Sequence, residues 1–179
     1  VVFENEKQLR TPPRLILWPE GGGFPPLKEK PRLVYDPKKG DEPEDLEGGL
    51  SGYWMVSDRL KRAFEAVDSD AFVFAESDYF LADGSVGPRY FLCDVVRTLN
   101  ALDEQSSQLN IEVSDEFIDG KFYDLMGGAS LVFLPDVVGD SHVFKTPYSG
   151  ALVFCDRKFK DAMEDAGIWR AGKSRGLWF

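Results

Sequence analysis

One pattern occurs twice in this chain and limits the folds open to it. It is a short apolar run, an Asp-Arg dipeptide, then an amphipathic helix. In the second copy, Ala151-Leu152-Val153-Phe154 reads as a buried strand. Asp156 then stands as an N-cap, and Phe159, Ala162, Met163 and Ala166 follow at helical spacing. Gly167 stands where a helix C-cap belongs. In the first copy, Tyr53 to Val56 is followed by Ser57-Asp58-Arg59, and Leu60, Phe64 and Val67 share one helical face. Phe64 and Met163 are therefore expected in the core, on equivalent faces. Internal duplication and the plain preference for Asp at helix caps both account for the repetition.

Residues 1–50 differ from the rest. Prolines 12, 13, 19, 25, 26, 31, 37 and 43 fall here with the triple glycine 21–23, a density that opposes helix. Arg14–Trp18 and Arg32–Tyr35 read as short strands joined by extended loops. Leu15, Ile16, Leu17, Trp18, Phe24 and Tyr35 are too apolar for a free tail, so this arm is expected to pack on the core. Gly40–Gly49 is acidic and reads as a mobile loop.

Further on, 71–75 and 89–96 read as strands, the second being the strongest in the chain. Residues 97–110 read as a loop or short helix, and 116–125 as a hairpin around Asp119-Gly120. The run 131–134 ends at Pro135, 142–145 reads as a short strand, and Gly176–Phe179 as a last one. Short-turned strands with few, late helices give an α+β class: a largely antiparallel sheet, two or three amphipathic helices and the packed arm. The expected organisation is an arm, 1–50, joined in one compact unit to a domain spanning 51–179.

Among 179 residues, 31 acidic against 21 basic side chains give a net charge of −10. That disfavours nucleic acid and anionic membrane surfaces and favours a basic protein partner. No apolar run approaches the ~20 residues that span a bilayer. Val1-Val2-Phe3 leads directly into Glu4, Asn5, Glu6 and Lys7, unlike a signal peptide. Cys93 and Cys155 sit in apolar contexts without metal-ligand spacing and read as buried thiols of a reducing compartment.

Residues 167–174 fit the phosphate-loop spelling G-x-x-x-x-G-K-S through Gly167, Gly172, Lys173 and Ser174. That loop needs a strand before it and a helix after it, and here a helix precedes and only five residues follow. Gly21-Gly22-Gly23 runs into Phe24-Pro25-Pro26, so it reads as a turn. His142 is the single histidine and cannot build a multi-histidine metal site. Glu112, Asp115, Glu116, Asp119 and Asp124 could supply a carboxylate pair for acid–base work, or form a solvated acidic face.

The two strand–Ser/Cys-Asp-Arg–helix units, the Arg89–Val96 strand, Ala101-Leu102-Asp103 and the closing run from His142 to Gly167-Ile168 stand in a familiar order. Together they resemble immunity family eleven of the bacterial polymorphic-toxin systems, formerly a domain of unknown function. The resemblance covers roughly residues 53–179 and ends in Gly176-Leu177-Trp178-Phe179. Cys155 replaces the family's usual Ser, and Trp169–Arg175 looks like an insertion. The resemblance implies a cytoplasmic, non-enzymatic protein without metal or cofactor, a monomer or weak homodimer. It would bind and neutralise the C-terminal domain of a cognate toxin, such as a basic nuclease. The alternatives are a small carboxylate-dependent hydrolase and a general acidic adaptor. Two acidic patches are the expected contacts: Asp41, Glu42, Glu44 and Asp45 on the loop, and Asp115, Glu116 and Asp119 at the hairpin. The hairpin is the preferred one, being the stiffer platform.

Overall fold

The computed structural model describes residues 1–6, 22–50, 52–117, 120–170, 173–174, 176–177 and 179. Their main sheet has six strands in the order β1 (Val2–Phe3), β2 (Arg32–Val34), β5 (Phe72–Phe80), β6 (Tyr90–Val95), β4 (Tyr53–Ser57) and β3 (Leu46–Leu50). Neighbours run antiparallel except β2 and β5, where Leu33 lies opposite Tyr79 in a parallel ladder. Three two-stranded ribbons accompany it: β7 (Asn110–Val113) with β8 (Lys121–Asp124), β9 (Val143–Lys145) with β10 (Val153–Cys155), and β11 (Trp169–Arg170) with β12 (Lys173–Ser174). Named helices among the described residues are α1 (Asp58–Asp68), followed by a 3-10 turn Ser69–Ala71, the one-turn α2 (Pro135–Val138) and α3 (Arg157–Asp165). The class is α+β, as the sequence leads one to expect.

The two strand–helix units differ in one instructive respect. Ser57 caps α1, its hydroxyl accepting from the Leu60 amide at 3.1 Å, and Asp156 caps α3, accepting from the Phe159 amide at 2.9 Å. The caps are thus offset by one residue relative to the Asp-Arg dipeptides. Aligned on the caps, Leu60 matches Phe159 and Phe64 matches Met163, and all four are buried. The expected equivalence of Phe64 and Met163 therefore holds, set by the cap and not by the dipeptide. At the end of α3, the Gly167 amide donates to the Glu164 carbonyl and the Ile168 amide to the Met163 carbonyl. With Gly167 at φ 68°, this is a Schellman end, and its hydrophobic contact is the buried pair Met163 and Ile168.

Strand β6 explains its own composition. Phe91, Cys93 and Val95 face a cluster shared with α1 and α3, while Tyr90 and Leu92 face a second cluster on the opposite side. A strand buried on both faces reads as a near-continuous apolar run. In the first cluster the Phe64 ring stacks on Phe72 at 4.5 Å and meets Phe159 at 5.4 Å. The arm covers the second: Leu33 is fully buried, Phe24 stacks on Tyr53 at 4.5 Å, and Val1, Phe3 and Tyr35 pack alongside. Buried Asn5 joins β1 to β2, donating to the Lys30 carbonyl and accepting from the Arg32 amide. The expected strand Arg14–Trp18 and the apolar side chains 15–18 lie outside the described residues. Glu6 is helical, so the exclusion of helix from the arm does not hold there.

Other expectations need correction. The supposed loop Gly40–Gly49 contains most of edge strand β3, because Leu46 packs against the first cluster and Leu50 enters the second. Gly48-Gly49 marks a register shift within that strand rather than its absence. β5 runs on to Phe80, since Glu76 lies on a solvent face where Lys30 and Arg89 pair with it. The hairpin begins at Asn110, with residues 114–120 as its connection, so Gly120 ends the loop instead of centring it. Residues 97–108 form a loop, as one of the two readings had it, with a turn at 104–106 and isolated bridges from Thr98 to Lys145, Leu102 to Phe133 and Gln108 to Ser130. The run 131–134 does end at Pro135, which opens α2 as its first residue. Gly176, Leu177 and Phe179 are not in a strand.

Candidate functional site

The acidic side chains chosen from the sequence meet different fates. Asp41, Glu42 and Glu44 are exposed, on a segment that the Tyr90 hydroxyl pins by donating to the Pro43 and Glu44 carbonyls. Asp45 is not exposed at all, at 5%. It accepts from the Ser57 hydroxyl at 2.6 Å and from Arg59 at 2.7 Å, and so serves the start of α1. It is withdrawn as a surface contact. Asp115 and Glu116 are exposed on the β7–β8 connection, and Asp119 lies outside the described residues.

The hairpin carrying Asp115 and Glu116 stands on a fixed base. Tyr123 is buried, its amide donates to the Tyr148 carbonyl, and its hydroxyl donates to Glu104 at 2.5 Å. Lys121 also donates to Glu104 and lies over the Tyr148 ring at 4.2 Å. These two donors hold the Glu104 carboxyl below the usual carboxylate range, while burial, then Glu104 itself, pushes the Tyr123 phenol up. The base is therefore ordered before any partner arrives.

Charge is distributed unevenly. Residues 101–150, the excursion that holds β7, β8, α2 and β9, contain nine carboxylates and two lysines, a net −7 of the chain's −10. The rest of the chain is close to balanced, 22 carboxylates against 19 Lys and Arg, and several pair: Glu76 with Lys30 and Arg89, Asp58 with Arg62, Asp68 with Arg97, Asp45 with Arg59. Of the excursion's described carboxylates only Glu104 forms an ion pair, whereas Glu112, Asp115, Glu116, Asp136 and Asp140 form none. Counting charge by segment would have found this from the sequence. The proximity of five carboxylates hid the larger asymmetry.

The same excursion carries most of the exposed large hydrophobic side chains among the described residues. Of nine large hydrophobic side chains exposed among the described residues, six lie within it, from Val113 to Val137. Sequence reasoning missed them because nothing local in the sequence distinguishes an exposed apolar side chain from a buried one.

The other motifs resolve as structure. Gly22 and Gly23 form a left-handed turn whose Gly23 amide donates to Asp94 at 2.7 Å. The phosphate-loop spelling falls on the Schellman end and the β11–β12 ribbon, with β-ladder backbone at Lys173 in place of a following helix. His142 donates from Nδ1 to Asp156 at 2.8 Å and accepts at Nε2 from Lys158 at 2.9 Å, tying β9 to α3. Among the described residues, no three His, Cys, Asp or Glu side chains gather as a metal-binding group. No described helix is long and apolar enough to cross a membrane.

Two pockets of about 240 Å³ occur. One is apolar and lies under the C-terminal tail, lined by Phe64, Phe72, Phe159, Leu177 and Phe179, with Cys155 at its side. The other surrounds the Lys30–Glu76–Arg89 ion pairs. Neither is lined by Glu112, Asp115, Glu116 or Asp124.

An α+β protein with one acidic, partly apolar excursion is thus defined by its own geometry. Compared with known families, residues 1–179 match the model of an immunity protein family, Imm11. The chain belongs to that family. The match includes the Pro-rich arm, which the resemblance read from motifs alone had left out. No curated protein matches the chain.

Proposed function

We propose that this protein neutralises a cognate toxin domain by direct contact, with the excursion 101–150 turned towards a basic face of the toxin. The observation that carries the reading, beyond family membership, is the net −7 carried by that excursion. Like charge concentrated on one segment steers a basic partner and raises its association rate. A nuclease is the natural target, since an enzyme that grips a phosphate backbone needs a basic cleft. The inhibitor itself catalyses nothing, uses no cofactor, acts in the cytoplasm and is a monomer or weak homodimer. Asp115, Glu116 and Asp119 provide steering charge at the hairpin, and Asp41, Glu42 and Glu44 form a lesser patch.

The test uses the C-terminal domain of the toxin encoded beside this gene. Its association rate with the wild type should fall steeply from low to physiological salt, and less so for Asp115→Lys with Asp119→Lys. The charge-reversed pair should also fail to protect a cell expressing the toxin. A flat salt dependence, or full protection by the double variant, would refute the steering face. Hydrolysis of a sugar or phosphate ester by the pure protein would move the answer to an enzyme.

A further inference from the structure

Val132, Leu134 and Val137 form an apolar strip on the acidic excursion, 41%, 38% and 43% exposed. Extended backbone puts Val132 and Leu134 on one side, while Phe133 between them turns inward onto Phe144 at 5.2 Å and Phe154 at 5.1 Å. Leu134 leads into α2, where Val137 lies one turn on, next to exposed Pro135 and Asp136. The inward ring and the outward pair show that the segment is anchored by one face and leaves the other unused.

The strip is held in place. The Leu134 amide donates to the Ala101 carbonyl at 2.7 Å, and the Asp103 amide donates to the Val132 carbonyl at 2.8 Å. Ser107 accepts from the Val132 amide at 2.9 Å. A surface fixed beforehand loses little freedom on binding. Its edge is acidic: Asp136 and Asp140 are exposed, and no cation pairs with either among the described residues. An apolar centre with a charged, solvated rim is the anatomy of a protein interface.

We propose that the Val132–Leu134–Val137 strip is the apolar anchor of the toxin contact, and that the surface it takes is an apolar or aromatic depression ringed by Lys and Arg. Charge complementarity argues for that occupant, because Asp136 and Asp140 would repel an acidic one and meet a basic one. The proposal rests on the functional reading above and divides the labour within it. The hairpin acids govern how fast the toxin arrives, and the strip governs how long it stays.

The experiment measures association and dissociation rates separately, with the toxin domain encoded by the adjacent gene. Leu134→Asp with Val137→Asp should speed dissociation by on the order of 30-fold or more, with association little changed. Val137→Ala should move dissociation the same way by less. Asp136→Lys with Asp140→Lys should slow association at low salt. Val86→Asp, at a position 79% exposed on the turn before β6, should change neither rate. If the double variant melts early, Val137→Asp alone decides, since its side chain is exposed on a single helical turn. Wild-type dissociation in the Leu134/Val137 variants, or an equal effect of Val86→Asp, overturns the anchor while leaving neutralisation standing. A wild-type chain that does not bind the toxin domain at all would instead sink the functional reading, and the anchor with it.

Discussion

Asp45 and Arg59 meet at 2.7 Å, a buried carboxylate against a half-exposed guanidinium at the entrance to α1. Asp45 also takes the Ser57 hydroxyl hydrogen, which leaves the Ser57 oxygen lone pairs free for the Leu60 amide. One carboxylate therefore orients the cap that starts the helix. Asp45→Ala should cost about 1–3 kcal/mol in urea unfolding, the cost of unmaking hydrogen bonds to a buried charge. Toxin association should be unaffected, and a change in rate without a change in stability would return Asp45 to the interface.

Phe64 and Met163 lie at the same position after their caps and are essentially inaccessible. Phe64→Ala should cost about 3–5 kcal/mol and Met163→Ala about 2–5 kcal/mol. Because Phe64 also meets Phe159 at 5.4 Å, the Phe64→Ala and Phe159→Ala changes should be non-additive in a double-mutant cycle. Strict additivity would mean that the two helices do not share one cluster.

Asp68 ends α1, where the helix dipole disfavours an anion. Burial raises its carboxyl, but the Arg97 hydrogen bond and the His142 and Val143 amides outweigh this and hold it below its ordinary 3.8. A depressed folded value stabilises the native state above the unfolded value and ceases to do so as pH falls through the folded one. Unfolding free energy should therefore drop as pH is lowered through the range around and below 3.8. Asp68→Asn should be less stable at pH 7 and show a shallower acid limb in urea titrations at several pH values. An unaltered acid limb would assign the loss to other carboxylates.

The cysteines should differ in reactivity. Burial pushes the Cys155 thiol up to about 11 and the Cys93 thiol well above its ordinary range. Thiolate is the nucleophile, so at pH 8 Cys155 should alkylate about 100-fold more slowly than a free thiol. Cys93 should react only after unfolding. Mass spectrometry of iodoacetamide-treated native protein checks both, and rapid double labelling would contradict the packing of β6 and β10.

We expect the arm and the rest of the chain to unfold as one cooperative unit. Leu33 is fully buried and Phe24 stacks on Tyr53, so deleting residues 1–40 should lower stability by several kcal/mol, at roughly 1.5–3 kcal/mol per large buried apolar side chain. An unchanged melting temperature would make the arm an independent appendage.

The parts legible in the sequence were those where one local signal sufficed. Ser57 and Asp156 mark their helices because a short polar side chain satisfies an orphan amide, and Gly167 marks an end because its backbone is left-handed. β6 was legible because burial on both faces leaves no polar alternation to misread. β3 was not, because two glycines at a register shift look like a loop until Leu46 and Leu50 find their clusters. The pairing of 97–108 with 130–134 and Lys145 was illegible for a similar reason. Its bridges join residues such as Leu102 and Phe133, which nothing local connects. Exposure of Asp115 and Glu116 followed from their polarity, while burial of Asp45 depended on an arginine fourteen residues away.

The parallel pairing of β2 with β5 has a consequence for biosynthesis. Leu33 leaves the ribosome well before Tyr79, its ladder partner, and β5 in turn needs β6 beside it. Loop closure over that separation has to be met before the pairing rewards it. The segment translated first is therefore the one that docks late, onto a sheet edge formed by residues made after it. Until then Leu33 and its neighbours are an apolar stretch in the nascent chain that chaperones can hold, and truncated translation products would leave it bare.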